Sequence, residues 1–462
     1  MNILLNILKK PQKSVPEQAL ISILRWVVRQ RLLVPFLVKF LRINLRIVGT
    51  KSFDSQPLRL LILNEERFRP DIEVLARRSD TEVYSLPSNI QQLINSVWLS
   101  DVRRICENDP TAYLKNTDSK IRIARKKLHT HLCKIIRKLS EKTPFDAVVT
   151  CAFYYKQDLE WASAAKELRV PFFVLHKENT KDRINKKSYI EKYSRKNLKF
   201  IGTRLFLANY LEREILQEAG CLGDEKVSIV GKLRMDTLYS RVQNHNLDNE
   251  KKLIVLFSTH HCSGGLEIPG IDSIFNENED SGFVCHFKAL HRWFYRAALE
   301  RPDNEFVIKT KWGGLWFDKI EEAIASSEDE DFLSVSNLTL THDVPAQELI
   351  KNASAVVAFN STTVLEAKLC KKPVLIPLFK EARVKYYATN VYFQNYLDCF
   401  SVSYTERDFF KQLLLAADGK LEEQKDIPKT MIEEYLGYFD GRVSDRVVRI
   451  MKKDIADLES DQ

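Results

Sequence analysis

Short apolar runs alternate with helical stretches from Leu58 to Phe379, and no other feature constrains the fold of this chain as strongly. A run of four to eight apolar residues leaves no face for water. It therefore reads as a strand covered on both sides, and strands that alternate with helices build a parallel sheet with helices on its faces. The first series is LRLLILN (58–64), TEVYSL (81–86), DAVVT (146–150), PFFVLH (171–176), RLFLANY (204–210) and KVSIVG (226–231), with helices expected over 118–142, 158–168 and 211–219. The second is KLIVLFS (252–258), NEFVIKT (304–310), FLSVSNL (332–338), SAVVAFN (354–360) and KPVLIPLF (372–379), with helices expected over 287–300, 316–326, 345–353 and 361–370. Residues 241–252 are polar and aperiodic and read as the linker between two domains, and 262–284, rich in Gly, Ser, Asp and Asn, as a long loop. The expected domains span 55–240 and 250–440, with a basic amphipathic helical extension at 1–50 and a helix or tail at 441–462. Open α/β sheets bind ligands at the carboxyl ends of their strands, so a cleft is expected where those ends meet.

A length of 462 residues with 44% apolar and 29% charged side chains suits two cores. The eight cysteines form no CxxC pair, which argues against a disulfide framework and against a structural zinc site. Neither a signal peptide nor an uncharged apolar run of about 18 residues is seen, so a cytoplasmic protein is expected. The net charge of +9 calls for an anionic partner. Between Ser14 and Gly49, Arg25, Arg29, Arg31, Lys39, Arg42 and Arg46 interleave with apolar residues and Trp26. That pattern fits one or two basic helices broken at Pro35 and lying on the cytoplasmic face of the inner membrane; a helical hairpin packed on the protein's own domain fits it equally. Nucleic acid is not expected, because the basic residues are not interleaved with stacking aromatics.

The richest stretch for chemistry runs from Asn352 to Phe379. The strand AVVAFN leads directly into Ser361, Thr362 and Thr363, which are expected to cap a helix from about Val364. Free N–H groups, hydroxyls and the helix dipole would make a phosphate site there. Glu366, in the first turn, would reach ribose hydroxyls or simply favour the helix electrostatically. At the end of FVIKTKWGG, Lys309 and Lys311 fall on one side of a strand and would neutralise a leaving diphosphate, with Gly313 and Gly314 allowing close approach. His342 and Asp343 would line the base or phosphate pocket, or Asp343 would cap the next helix. His260 and His261 are expected to touch the donor; neighbouring residues diverge on a turn and no carboxylate stands at ligand spacing, so no metal is expected. In the first domain Glu65, His176 and Glu178 are the candidate general bases, Glu178 foremost because HKEN directly follows the strand PFFVLH. Lys232 and Arg234 would meet the diphosphate or be solvated. No cofactor is implied.

The order of an apolar strand, Asn360-Ser361-Thr362, three residues, Glu366-Ala367, four residues and Lys372-Pro373-Val374-Leu375 resembles the nucleotide-binding half of glycosyltransferases of the GT-B fold. It is most similar to bacterial capsule and surface-carbohydrate biosynthesis proteins. The resemblance implies an α/β chain of two Rossmann-like doubly wound domains facing a cleft. It also implies Ser361 and Thr362 on the donor phosphates, Glu366 on the donor ribose, and a nucleotide-sugar donor with a carbohydrate or lipid-linked acceptor. Many retaining members carry a glutamate eight residues before the Glu-Ala pair; this chain has Ala358, which implies an inverting transfer, and with Lys309 and Lys311 in the place of a metal the transfer is expected to be metal-independent. Nucleotide-sugar 2-epimerases, polyol-phosphate transferases and a non-catalytic membrane scaffold share the same architecture.

Overall fold

The computed structural model describes residues 34–49, 56–99, 102–108, 112–116, 118–177, 180–223, 226–243, 252–259, 282–311, 313–325, 335–384 and 391–460. Glu178, His260, His261, the basic segment before Val34, most of the loop 262–284 and linker residues 244–251 lie outside the described residues. The described residues fall into two compact units. One comprises those of Met1–Asn179, Lys186–Thr237 and Glu433–Gln462, the other those of Thr180–Asn185 and Leu238–Ile432. Among the described residues no helix is long and apolar enough to cross a membrane.

The first unit holds a seven-stranded sheet: β1 (Arg46–Val48), β2 (Leu58–Leu63), β3 (Thr81–Leu86), β4 (Ala147–Thr150), β5 (Phe172–Leu175), β6 (Arg204–Leu207) and β7 (Val227–Ile229), in the order β1-β3-β2-β4-β5-β6-β7. All neighbours are parallel except β1, which runs antiparallel to β3. Alternation along the strands divides their side chains between two cores. Leu61, Leu63, Val148 and Val174 enter one, and Leu60, Ile62, Val149 and Phe173 the other. Both faces are dry, which is why the strands read as unbroken apolar runs.

The first core is roofed by α1 (Val34–Asn44), α2 (Ser88–Leu99), α3 (Ser119–Lys142) and α4 (Lys156–Glu167). Val34, Leu37, Val38 and Leu41 of α1 follow the i, i+3, i+4, i+7 spacing of one helix face and are buried with Leu128, Leu132, Ile135 and Leu139 of α3. The apolar stripe of residues 34–44 is therefore spent on the unit's own core, with Lys39 and Arg42 on the exposed side. Of the two readings left open for this segment, residues 34–44 follow the one packed on the protein's own domain and not the membrane-facing one. Pro35 lies within the described part of α1, and Arg46–Val48 is an edge strand instead of helix.

The second core is covered by the helix Arg69–Ala76 and by the C-terminal helix Val443–Ser460, whose Val443, Val447, Val448 and Met451 meet Leu60, Val149 and Phe206. Asp236 holds the start of that helix, accepting from the Val443 and Ser444 N–H groups at 3.0 and 2.8 Å. Arg204 of β6 donates to Asp454 at 2.6 Å. The chain reaches the helix through Gly437, at φ +73°, where a Cβ would lie 1.9 Å from the carbonyl oxygen of Ala208.

The second unit has six parallel strands: β8 (Leu253–Phe257), β9 (Glu305–Lys309), β10 (Leu338–Thr341), β11 (Ala355–Ala358), β12 (Val374–Pro377) and β13 (Ser401–Ser403), in the order β10-β9-β8-β11-β12-β13. Numbered from its own first strand this is 3-2-1-4-5-6, the doubly wound Rossmann order. One covering helix is α5 (Val284–Glu300), which buries Phe287, Leu290, Phe294 and Tyr295 against Ile254, Leu256, Phe306 and Ile308. Two expectations are corrected. The helix Arg234–Gln243 runs into the stretch read as linker. The strand expected over 332–338 begins only at Leu338, because the Asn337 side-chain amide donates to the carbonyls of Ala298, Arg301 and Asn304 at 3.0, 3.1 and 2.9 Å and holds a turn there.

Gly437→Ala is expected to lower the stability of the first unit by more than about 2 kcal/mol, because the methyl group meets a backbone oxygen in addition to the left-handed strain. Gly220→Ala has a similar φ of +70° and meets only a lysine tip at 3.6 Å. It should cost about 1 kcal/mol. Urea unfolding of the two variants measures the difference, and equal losses would dismiss the clash.

Candidate functional site

Strand register places the tips of the second sheet in one row. Phe257 is paired with Lys309 and with Ala358, and Lys309 with Thr341. The segments Ser258–Thr259, Thr310–Lys311, His342–Asp343 and Phe359–Thr363 therefore leave the same edge. Chain order reverses between β8 and β11, so Ser258 and Asn360–Thr363 flank the point where doubly wound sheets hold their ligands.

The turn after β11 is built by its polar residues. Asn360 adopts φ +49°, a left-handed conformation that asparagine tolerates, and its Oδ1 accepts the Tyr392 N–H at 2.9 Å. The following helix, α6 (Thr363–Leu369), starts one residue earlier than expected and has Thr362 at its cap position. The capping oxygen belongs to Ser361, which accepts from the Thr363 N–H at 3.3 Å and from the Thr363 hydroxyl at 2.8 Å. Ser361, Thr362 and Thr363 are all half-buried. Glu366, expected to reach outward, is only 4% exposed, and so is Lys372 of the Lys-Pro pair at 3%. Both sit around Cys370, whose thiol burial pushes up to about 12; Glu366 reinforces that shift, and Lys372 and Arg241 oppose it.

Other tips carry charge in tighter arrangements than strand alternation implied. The half-buried Lys309 ammonium donates to the carbonyls of Thr310 at 2.6 Å and His342 at 2.8 Å, and burial lowers its pKa. It ties the ends of β9 and β10 together. Lys311 is exposed. Asp343 does not cap the helix Ala346–Asn352, whose cap position is Pro345; it lies 3.1 Å from His342 Nε2. Gly313 lets the His342 ring lie against the backbone, since a Cβ there would stand 2.9 Å from the ring.

One residue pair at this edge escaped sequence reasoning. Ser258 Oγ lies 2.8 Å from His291 Nε2, and His291 Nδ1 lies 2.7 Å from the Phe287 carbonyl. The carbonyl requires the proton on Nδ1, so Nε2 accepts a hydrogen bond from the serine hydroxyl. His291 is wholly buried, and burial pushes its pKa down to about 4, which keeps the ring neutral. Glu381 positions the helix that carries it, accepting from the Cys285 and His286 N–H groups at 2.7 Å each. A histidine in the apolar helix HFKALH was the only signal, and it does not say which strand tip it meets.

In the first unit the corresponding reversal falls between β2 and β4, and a buried carboxylate occupies it. Asp158 accepts from Asn64 Nδ2 at 2.7 and 2.9 Å, from Thr150 Oγ1 at 2.7 Å and from Gln91 Nε2 at 2.7 Å. Burial raises its pKa to about 6 against these hydrogen bonds. The network fixes Asn64 at φ +58° and thereby the turn that presents Glu65. Glu65 is buried and accepts from Arg69 Nε at 3.0 Å. His176 follows β5 and is buried among Phe153 and Tyr154, with Nε2 3.4 Å from Glu212 Oε1. Arg234 is half-buried and pairs with Asp71 at 3.6 Å, and Lys232 is buried.

Among solved structures, the chain is similar to the UDP-GlcNAc 2-epimerase of Neisseria meningitidis (13% identity over 86% of this chain and 99% of that one, TM-score 0.44). It is also similar to the UDP-GlcNAc 2-epimerase of Methanocaldococcus jannaschii (13% identity, 86% and 100%, TM-score 0.45). A further similar structure is the wall teichoic acid polymerase TagF (15% identity, 68% and 74%, TM-score 0.45). No family model matches the chain, and no curated protein does.

Because the folded pKa of His291 lies below its ordinary 6.5, its contribution to stability is complete above pH 6.5 and is lost as pH falls towards 4. The loss amounts to about 3 kcal/mol. His291→Gln should flatten the pH dependence of urea unfolding over that window by one proton's worth. An unchanged slope would mean that His291 titrates like a solvated histidine.

Proposed function

We propose that the carboxyl edge of the second sheet binds the diphosphate of a nucleotide-activated sugar, and that the chain is a glycosyltransferase of the GT-B kind. The observation that carries this reading is the register that aligns Ser258 with Asn360–Thr363 at the β8/β11 reversal. The hydroxyls of Ser361 and Thr362 stand there beside the start of α6, those of Ser258 and Thr363 being engaged with His291 and Ser361, and Lys309 and Lys311 bring positive charge to the neighbouring tip. Hydroxyl donors and fixed cations stabilise the negative charge that develops on a leaving nucleoside diphosphate, without a metal. Asn360 shapes the turn that presents the hydroxyls. Glu366 and Lys372 support α6 from inside, so the ribose contact implied for Glu366 by the resemblance is not retained in this proposal.

An inverting transfer also needs a base for the acceptor hydroxyl. Glu65, His176 and Glu178, all of the first unit, are the candidates for that role. Glu65 is buried and held by Arg69, and His176 is buried beside Glu212. The proposed setting is surface-polysaccharide assembly at the cytoplasmic face of the inner membrane, with a carbohydrate or lipid-linked acceptor. Since the stripe of residues 34–44 is buried, any membrane contact would fall to the residues before Val34.

Purified full-length protein is expected to be stabilised by one nucleoside mono- or diphosphate of the series CMP, CDP, UDP, GDP and dTDP. A hundredfold excess over Kd contributes about 2.7 kcal/mol. Ser361→Ala should weaken that ligand roughly tenfold, the worth of one hydrogen bond to a charged group. Binding of none of the five, or an unaltered Kd in the variant, would reject the reading. Product analysis with the matching sugar nucleotide then separates a glycoside from an epimerised sugar or a phosphodiester.

A further inference from the structure

Away from both rows of strand tips, two helices of the first unit bring together a histidine, a cysteine and a glutamate. His129 and Cys133 stand one turn apart on α3, so their side chains share a face, and Glu167 is the last residue of α4. His129 Nε2 lies 2.7 Å from Glu167 Oε2, and Cys133 Sγ lies 3.6 Å from His129 Nε2 and 3.7 Å from Glu167 Oε1. One ligand atom from each falls within 4.8 Å of the others, and no other group of three such side chains among the described residues does so.

These separations can be compared with what an ion requires. Bonds of about 2.0–2.3 Å in a tetrahedral site hold nitrogen or oxygen roughly 3.5 Å from sulfur, and nitrogen roughly 3.3 Å from oxygen. The distances from sulfur to His129 Nε2 and to Glu167 Oε1 already match. The other carboxylate oxygen, Oε2, holds the hydrogen bond to His129, which opens by about half an ångström when a metal takes the proton's place and the carboxylate turns one oxygen to the ion. One imidazole, one thiolate and one carboxylate are a donor set for zinc and its late first-row neighbours, and not for calcium or magnesium. Glu167 is exposed, so an ion can enter from solvent.

A nucleophilic role for the cysteine fits less well. A nucleophile, base and orienting carboxylate use the two ring nitrogens separately, whereas Cys133 and Glu167 here face the same Nε2. Burial also holds the thiol protonated, with its pKa pushed up to about 11. We propose that His129, Cys133 and Glu167 bind one divalent transition-metal ion of the zinc class, with solvent in the fourth position. Binding exchanges the thiol proton for the metal and releases that proton to water. The helix α4 leaves the carboxyl end of β4 and returns to the start of β5, so Glu167 lies at the edge opposite the strand tips. The ion is accordingly a staple between α3 and α4 and takes no part in sugar chemistry.

Full-length protein stripped with a chelator and titrated with Co²⁺ is expected to bind one equivalent, with the visible bands of tetrahedral cobalt and a near-ultraviolet thiolate-to-cobalt band, displaced by Zn²⁺. Cys133→Ser should abolish the thiolate band, and His129→Ala and the surface variant Glu167→Gln should each weaken binding at least tenfold. Zn²⁺ should raise the Tm of the wild type and leave that of Glu167→Gln nearly unchanged, while nucleotide affinity stays the same in both. Cobalt bound without a thiolate band, a band that survives Cys133→Ser, or equal affinities in wild type and Glu167→Gln would overturn the site. Because Glu167→Gln keeps a hydrogen-bonding partner for His129 on an exposed side chain, misfolding does not obscure the outcome.

Discussion

Burial of both faces of a parallel sheet is the constraint from which the rest of this chain follows. A strand with no wet side demands helices above and below it, and each helix must donate one apolar stripe to the contact. In the first unit that demand draws in elements from distant parts of the sequence. The stripe of Val34, Leu37, Val38 and Leu41 closes one core, and Val443, Val447, Val448 and Met451 close the other. Residues 34–44 of a basic amphipathic segment and a C-terminal helix, which look like appendages in the linear sequence, thus line a domain's interior.

Parallel pairing has a second consequence at the strand ends. With every strand but β1 pointing one way within its sheet, those tips emerge together, and polar residues that follow them become neighbours whatever their separation in sequence. Several of these residues are engaged with each other. Asp158 gathers donors from Asn64, Thr150 and Gln91, Lys309 clamps two backbone carbonyls, and His291 accepts a hydrogen bond from the Ser258 hydroxyl. Such networks sit where ligands of this architecture bind, and their physical role is to hold the turns still. A site built on tips that are fixed in advance loses less conformational freedom when a ligand arrives.

The His129, Cys133 and Glu167 group stands apart from that logic. It occupies the helical layer near the opposite edge of the sheet, where the chain has only to hold α3 and α4 together. Placing an ion there separates stabilisation from chemistry. The usual sequence signal for structural zinc, paired cysteines two residues apart, does not describe it, because two ligands come from one helical turn and the third from a helix 34 residues further on.

The sequence by itself determined the class of the fold and most of its strands, because burial on both faces writes an apolar run wherever a central parallel strand lies. TEVYSL is β3 with the expected ends, and the helix expected over 118–142 is α3, with Asp118 at its cap accepting from the Lys120 and Ile121 N–H groups. The edge strands were harder to read. Arg46–Val48, Leu338–Thr341 and Ser401–Ser403 are partly wet and carry no continuous apolar signal. At the site, the loops bearing Asn360–Thr363 and Lys309 were visible as polar residues after strands. Tertiary structure alone decided which charges face inward: Glu366 and Lys372 are buried around Cys370, and Ser258 meets a histidine 33 residues away. The reason is physical. Local sequence records whether a segment is covered, whereas the partner of a buried polar group is chosen by packing between segments that carry no mark of one another.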